Sequence, residues 1–169
     1  MKTNKVAIVG AGAVGQEIVC ALHALSFPLE SISLYARSER ALIIDGVQYE
    51  VRSTTEKSFE GMDFVFFAGT EGEKGASRTF GKSALDQGCI VIDNGDDFRM
   101  DANVPLIIPE INPDARAEHR FIANPNCSTI ISLMGIAPIH KHNRIKRIIA
   151  STYQAVSGSG SGGIEELRD

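Results

Sequence analysis

The sequence predicts an α/β fold with a doubly wound parallel sheet, because apolar runs of strand length alternate with segments of helical periodicity. Lys5–Val9 is predicted as the first strand. Met62–Ala68 and Cys89–Ile92 are continuous apolar runs next to Gly and Asp, which is typical of strands buried on both faces. Strand, helix and strand in repetition form right-handed crossovers, so the strands are expected to be parallel.

The remaining elements of the sheet follow in chain order. Val14–Leu25 is predicted as a helix, whose inner face is expected to carry Val14, Ile18, Leu22 and Leu25. Ser31–Ala36 is the second predicted strand, and residues 74–86 form the predicted helix between the two buried strands. Prolines at positions 105, 109, 113 and 125 disfavour central strands and helix interiors. Loops and edge segments around a crevice are therefore expected there.

The C-terminal part predicts a different element. Ile130–His142 is helix-like, Arg144–Gln154 is predicted as a strand, and Ser157–Gly163 has the composition of a linker. A last helix is expected to start near Gly163. Because it would complete barely one turn before Asp169, the chain is expected to be a truncated part of a longer protein.

Composition excludes several classes of protein. Hydrophobic residues make up 43% and charged residues 22% of the chain, as in ordinary globular domains. The net charge of −4 favours a small-molecule partner over nucleic acid or an anionic membrane, and no apolar run approaches the ~18 residues of a membrane span. The three cysteines lack CxxC spacing, which argues against disulfides and favours a reducing cytoplasm. His140 and His142 are expected at a solvated helix end, so no metal site is predicted.

A glycine-rich motif follows the first strand and opens the first helix. In a Rossmann-type dinucleotide fold, Gly10 would permit the tight turn, Gly12 the approach of a pyrophosphate, and Gly15 the close packing of helix on strand. A glycine-rich turn without a ligand is the alternative, and the strand before it and the helix after it favour the binding site. The predicted cofactor-binding loop comprises Gly10, Ala11, Gly12, Ala13, Val14 and Gly15.

The end of the second strand bears on the choice of cofactor. Folds that prefer NAD carry Asp or Glu there to bind the ribose 2′-hydroxyl, whereas this chain has Arg37, Ser38 and Arg40. These side chains could hold a 2′-phosphate, although Glu39 would repel one. A solvated charged loop is the alternative. NADP is predicted ahead of NAD.

A cysteine stands where a helix is predicted to begin. Asn126, Cys127 and Ser128 follow Pro125 and precede the helix-like segment. The free N–H groups and the positive dipole end of a helix stabilise a thiolate, which predicts a sulfur nucleophile at Cys127. The alternative is an inert, buried cysteine, which is what the apolar surroundings of Cys20 and Cys89 indicate.

Arg99 follows a predicted sheet strand, in a loop that also contains acidic residues. A guanidinium can bind a phosphate or carboxylate through two parallel N–H groups. Pairing with Asp96, Asp97 or Asp101 is the alternative, and spacing alone favours it.

Together these segments resemble the aspartate-semialdehyde dehydrogenase family, NADP-dependent enzymes of lysine, threonine and methionine biosynthesis. The matching stretches, in family order, are VGAGAVGQE, VIDNGDDFRMDANVPLIIPEINPDA, IANPNCSTI and STYQAVSGSG. The resemblance implies an NADP-binding Rossmann domain over residues 1–126. It also implies that residues 127–169 carry the catalytic-cysteine helix and the start of an α+β substrate and dimerisation domain.

The resemblance further implies the chemistry and its residues. Aspartyl 4-phosphate would be reduced to aspartate 4-semialdehyde through a thioester on Cys127, with Gln154 orienting the substrate. Arg99 and Asn126 would bind phosphate or the phosphoryl group. Ser157 and Gly158 would lie against the nicotinamide of NADP, and the full-length enzyme would be a homodimer.

This chain departs from the family in three respects. The glycine motif is one residue shorter and lacks a threonine, and Gly95, Asp96 and Asp97 replace small uncharged residues. The later arginine, histidine and lysine of the family have no counterparts, so the chain by itself is expected to be inactive. A reductase similar to N-acetyl-γ-glutamyl-phosphate reductase and a non-catalytic nucleotide-binding fragment are the alternatives.

Overall fold

A single mixed sheet organises the structure, a computed structural model that describes residues 2–69 and 75–169, apart from the side chains of residues 159–161. Its seven strands are β1 (Asn4–Val9), β2 (Leu29–Ala36), β3 (Arg40–Ile44), β4 (Val47–Ser53), β5 (Phe64–Phe67), β6 (Ile90–Asp93) and β7 (Phe121–Ala123). The α-helices are α1 (Ala13–Ala24), α2 (Ala76–Asp86), α3 (Cys127–His142) and α4 (Gly160–Arg168). Short 3₁₀ helices span Glu56–Phe59, Pro113–Arg116 and Val156–Ser159.

The strand order is β3-β4-β2-β1-β5-β6-β7, and every neighbouring pair is parallel except β3 and β4. The chain winds from β1 to β2 on one side and continues through β5, β6 and β7 on the other. The predicted doubly wound α/β fold is therefore confirmed. The winding direction reverses between β1 and β5, and in open α/β sheets ligands bind at such a switch point.

Both faces of the sheet are covered, as the continuous apolar strands predict. Along β1, Val6 and Ile8 pack with Val19 of α1, whereas Ala7 and Val9 pack with Phe59 and the α2 side of the core. Residues of β1 are at most 2% exposed from Val6 to Val9. A central parallel strand buried on both faces has no polar side, so its sequence shows no alternation.

The inner face of α1 differs from the predicted one. Gly15, Val19 and Leu22 are the buried residues, whereas Val14 is 46% and Leu25 is 80% exposed. Leu22 is buried and Ile18 packs against the core as predicted, whereas Val14 and Leu25 are wrong, because Gly15 and not Val14 meets the turn after β1. A Cβ atom built on Gly15 would lie 1.9 Å from the carbonyl oxygen of Gly10.

The antiparallel hairpin of β3 and β4 is absent from the sequence-based expectations. Its turn is Asp45-Gly46, and both residues have positive φ angles, 48° and 78°. Asp-Gly at a two-residue turn is a strong hairpin signal, so the sequence did contain the information. The hairpin places β4 beside β2, where the end of β4 joins the same edge of the sheet as the end of β1.

The predictions for the C-terminal part need correction. Residues 144–155 form no strand, and Ile149 is 89% exposed. Apolar alternation makes a strand only where a neighbouring strand supplies hydrogen-bond partners, and none of the described strands pairs with this segment. The last helix starts at Gly160 rather than near Gly163.

The other two predicted helices are present. The helix predicted over residues 74–86 is α2, although residue 74 itself lies outside the described residues, and the helix predicted from Ile130 begins at Cys127. Among the helices that the structure describes, none has the length and apolar character of a bilayer span. The division of the chain after residue 126 stays a prediction.

The contact of Gly15 with Gly10 can be tested by stability. Gly15→Ala is expected to lower the free energy of unfolding by about 3 kcal/mol, because backbone rather than a flexible side chain occupies the space of the new methyl group. Gly12→Ala is the matched control, since a Cβ there meets nothing within 4 Å, and its loss should stay below about 1 kcal/mol. Urea unfolding of both variants measures the difference, and equal losses would contradict the proposed contact.

Candidate dinucleotide-binding site

A cavity of about 690 Å³ lies at the carboxyl ends of β1, β2, β4 and β5. It adjoins the switch point of the sheet, since the residues that follow β1 and β5 both line it. Among the described residues, those lining the cavity are Val9, Gly10, Ala11, Gly12, Ala36, Arg37, Ser38, Arg40, Ser53, Thr54, Ala68, Gly69, Ala76, Thr79 and Phe80.

The glycine loop forms the wall of the cavity next to α1. Gly10 has a φ of 110°, and its N–H donates to the carbonyl oxygen of Tyr35 at 2.8 Å. A Cβ on Gly10 would lie 2.5 Å from the backbone of Ala68 and Gly69, so a side chain there would collide with the neighbouring loop. These contacts seat the loop directly across the ends of β1 and β5.

The start of α1 leaves its N–H groups available. The N-cap residue is Gly12, which has no side chain to cap the helix. A Cβ atom built on Gly12 would meet no other atom within 4 Å. Ala13, Val14 and Gly15 form the first turn of α1 next to the cavity-lining residues. A helix N-terminus without a capping side chain, behind a loop of small residues, suits a phosphate group. The donor set therefore fits a dinucleotide.

Arg37, Ser38 and Arg40 also line the cavity, and their role at a 2′-phosphate stays a prediction. Glu39 is outside the described lining of the cavity, and its Oε1 accepts a hydrogen bond from the N–H of the lining residue Ser53 at 3.4 Å. The guanidinium of Arg40 donates to the carbonyl oxygens of Ala11 at 3.1 Å and Ser38 at 3.4 Å.

Sequence reasoning missed several residues of this wall. Ser53 and Thr54 reach the cavity because β4 pairs with β2, and recognition of the Asp-Gly hairpin would have placed them there. Thr79 and Phe80 lie in the second turn of α2. A helix that follows a central strand starts at the crevice, and this is the signal that could have found them.

A second group of residues lies at the carboxyl ends of β6 and β7. Arg99 donates from Nε to the Asn124 carbonyl and from Nη2 to the Asn94 carbonyl, each at 3.0 Å. The side-chain amide Nδ2 of Asn124 also donates a hydrogen bond to Oδ1 of Asn94 at 2.5 Å. Arg99 thus ties the ends of two neighbouring strands together.

The pairing of Arg99 with an aspartate, which spacing favoured, is wrong. Asp97 instead accepts from Nε of Arg78 at 2.8 Å, and Asp101 accepts from the backbone N–H of Asn103 in its own turn. Proximity in sequence misleads here, because the sheet brings carbonyl groups from two strand ends within reach of the guanidinium.

Cys127 is exposed and is the first residue of α3, directly beyond β7. Asn126 caps the helix, since its Oδ1 accepts from the Ser128 N–H at 3.0 Å. Cys89 is buried and Cys20 is half-buried; burial raises the pKa of Cys89, and the neighbouring Asp45 carboxylate raises the pKa of Cys20. Cys127 is therefore the accessible thiol at the carboxyl edge of the sheet.

Gln154, Ser157 and Gly158 are exposed and lie outside the described lining of the cavity. The amide of Gln154 donates within its own segment, to Oγ1 of Thr152 at 3.4 Å. The chain by itself does not bring these three residues together with the glycine loop. Within the described residues no cluster of His, Cys, Asp and Glu could hold a metal ion.

Asp93, the last residue of β6, is a buried carboxyl that sequence reasoning did not single out. It is 1% exposed, and its Oδ1 accepts from the Gly95 N–H at 3.0 Å, whereas Oδ2 has no hydrogen-bond partner. Burial raises the pKa of Asp93, and the hydrogen bond from Gly95 offsets part of that rise. A charge would be costly here, because a buried carboxylate oxygen lacks a donor.

The sheet topology, the switch-point cavity and the glycine loop define a nucleotide-binding domain of the Rossmann type. The chain belongs to the family described as semialdehyde dehydrogenase, NAD binding domain, whose model matches residues 5–119.

Individual relatives that the chain matches are aspartate-semialdehyde dehydrogenases. The chain is 42% identical to the aspartate-semialdehyde dehydrogenase of Aquifex aeolicus. The alignment of 174 residues covers 98% of this chain and 50% of the relative. The crystal structure of aspartate semialdehyde dehydrogenase II from Vibrio cholerae aligns with a TM-score of 0.90 at 37% identity, over 99% of this chain and 51% of that one. The structure described as the same enzyme complexed with ASA aligns with a TM-score of 0.89 at 35% identity. The alignment covers 99% of this chain and 51% of that one. The chain thus spans about half the length of the relatives it matches.

The raised pKa of Asp93 has a consequence for stability. The folded protein holds this proton more tightly than the unfolded chain, so the contribution of Asp93 to stability falls as pH rises from the ordinary carboxyl pKa through the raised value. Asp93→Asn should remove this dependence. The free energy of unfolding of the variant, minus that of the unchanged protein, is expected to grow over this pH interval. Urea titrations at stepped pH measure it, and a difference independent of pH would contradict the expectation.

Proposed function

We propose that the chain is the cofactor-binding and nucleophile-bearing part of an NADP-dependent aspartate-semialdehyde dehydrogenase. One juxtaposition carries the proposal: the glycine-loop cavity and the exposed Cys127 at the start of α3 both follow the carboxyl ends of parallel strands of one sheet. Since neighbouring strands are about 4.8 Å apart, the three steps from β1 to β7 span roughly 14 Å. The identity to named aspartate-semialdehyde dehydrogenases supports the same function.

The preference for NADP rests on the charge of the cavity wall beyond β2. Arg37 and Ser38 offer a cation and a hydroxyl where folds that prefer NAD carry a carboxylate. Glu39, the acid that would repel a 2′-phosphate, is outside the described lining of the cavity. A guanidinium that meets a phosphate makes two parallel charge-assisted hydrogen bonds, which favours Arg37 as the contact.

Cys127 is the proposed nucleophile. Its thiolate attacks the acyl carbon of aspartyl 4-phosphate, a C–S bond forms, and the C–O bond to phosphate breaks as phosphate leaves. NADPH, when bound, supplies the hydride that reduces the thioester. The sulfur then leaves as thiolate, and aspartate semialdehyde is released. The helix N–H groups at the start of α3 favour negative charge on this sulfur.

Further residues take supporting roles in this proposal. Arg99, which holds the Asn124 carbonyl, and Asn126, which caps α3, bind the phosphoryl group or phosphate. Gln154 orients the substrate, and Ser157 and Gly158 approach the nicotinamide. The Vibrio cholerae relative complexed with ASA supports aspartate semialdehyde as the small-molecule substrate.

The proposal also covers the assembled enzyme. Residues 127–169 open the substrate and dimerisation domain, and the region that relatives carry beyond the matched half supplies the general base and the homodimer contact. The exposed side chains of Ile131, Ile139 and Ile149 agree with burial by such a region. The protein acts in the reducing cytoplasm, where Cys127 stays a free thiol.

Cofactor preference can be measured on the 169-residue chain. Arg37→Met should raise the Kd for NADP about tenfold and leave the Kd for NAD within a factor of two, because only NADP carries the 2′-phosphate. Arg52→Met is the matched control, since Arg52 is exposed and outside the described cavity lining. Calorimetric titration gives both constants, and equal losses for the two dinucleotides would refute the assignment of Arg37.

The role of Cys127 needs a chain extended to the length of its relatives. Cys127→Ala is expected to abolish phosphate-dependent oxidation of aspartate semialdehyde and to leave NADP binding within a factor of two. Cys20→Ala, at a thiol outside the site, should retain turnover. Turnover by Cys127→Ala would disprove the thioester step. Turnover of N-acetylglutamate semialdehyde alone would favour the related reductase.

A further inference from the structure

The guanidinium of Arg40 bridges two loops that form the cavity. Its Nη2 lies 3.1 Å from the Ala11 carbonyl oxygen, in the glycine loop 29 residues earlier in the chain. Its Nη1 lies 3.4 Å from the Ser38 carbonyl oxygen, in the loop that follows β2. One side chain therefore joins the predicted phosphate end of the cavity to the predicted ribose end.

The backbone of Arg40 is anchored independently of these contacts. Arg40 begins β3 and pairs with Val51 of β4, which is 2% exposed and pairs in turn with Leu34 of β2. The preceding residue, Glu39, accepts the Ser53 N–H. A planar guanidinium on a fixed backbone position can hold two acceptors in a defined geometry, which a flexible ammonium group does less well.

The Ala11 carbonyl matters because it belongs to the peptide that leads into Gly12. In a trans peptide the C=O and the following N–H point in opposite directions, so holding the Ala11 oxygen also sets the direction of the Gly12 N–H. The side-chain amide of Gln16 donates to the same oxygen at 3.5 Å. The guanidinium also neutralises the negative end of a carbonyl dipole that would repel a phosphate.

We propose that Arg40 is a positioning residue, which sets the glycine loop for a dinucleotide by holding the Ala11 carbonyl, and that it does not recognise the 2′-phosphate. The inference rests on the proposed function, since it concerns the same cofactor site. It separates the two arginines of the cavity wall by role. Arg37 distinguishes NADP from NAD, whereas Arg40 supports the binding of both.

The test compares Arg40→Met, Arg40→Lys and the control Arg52→Met in the 169-residue chain. Arg40→Met should weaken NADP and NAD by the same factor, about tenfold, the size expected for the loss of a charge-assisted hydrogen bond. The ratio of the two Kd values should change less than twofold. Arg40→Lys retains one charged donor and should recover only part of the affinity for both, and Arg52→Met should match the unchanged protein.

A cofactor-free measurement accompanies the titrations. Hydrogen exchange of the Gly10 amide, which donates to the Tyr35 carbonyl oxygen, should be faster in Arg40→Met, with the exchange of the β1 and β5 amides unchanged. A variant that merely unfolds more readily would instead accelerate all of these amides together. Such a uniform change would overturn the positioning role.

The remaining outcomes are distinguishable. A loss of NADP affinity alone would make Arg40 a phosphate ligand and overturn the proposal, as would unchanged affinity for both dinucleotides. If the unchanged chain bound neither NADP nor NAD, the proposed function would fail. Faster exchange confined to the Gly10 amide in Arg40→Met would then still support the role of Arg40 in holding the loop.

Discussion

The close approach of α1 to the end of β1 is the constraint on which the site depends. The Gly10 carbonyl oxygen occupies the space that a side chain at Gly15 would need, and the Gly10 Cα faces the backbone of Ala68 and Gly69. Gly10 and Gly15 thus let the start of α1 and the end of β5 both pack against the turn that follows β1. This contact brings the uncapped N–H groups of α1 to the switch point of the sheet, where an anion can reach them.

Arginines at this edge of the sheet bind backbone carbonyls. Arg40 holds Ala11 and Ser38, and Arg99 holds Asn94 and Asn124. Parallel strands end together and expose carbonyl oxygens side by side, so a guanidinium finds acceptors there without a carboxylate. Arg40 brings positive charge to the glycine-loop cavity, and Arg99 brings it to the ends of β6 and β7.

Sequence was sufficient wherever the signal is local. Buried strands such as Phe64–Phe67 are apolar throughout, and the glycine motif between β1 and α1 has a fixed spacing. A local sequence pattern is insufficient where the conformation of a segment depends on a neighbouring element of the fold. The apolar pattern of residues 144–154 is compatible with a strand, yet it remains irregular because no described strand pairs with it. The face of α1 was misassigned only in part: Val14 and Leu25 are exposed, whereas Leu22 is buried as predicted and Gly15 packs on the turn after β1 as the glycine motif predicts.

By itself the sequence determined the parallel sheet, the glycine loop, the cationic loop after β2 and the helix that begins at Cys127, because each depends on residues close together in the chain. Only the tertiary structure decided which acceptors Arg40 and Arg99 find, that Ser53 and Thr79 line the cavity, and that Asp93 is buried with one oxygen unpartnered. The longest contacts of these two arginines join residues 29 and 25 positions apart. Their geometry follows from strand order and register, which local propensity does not encode.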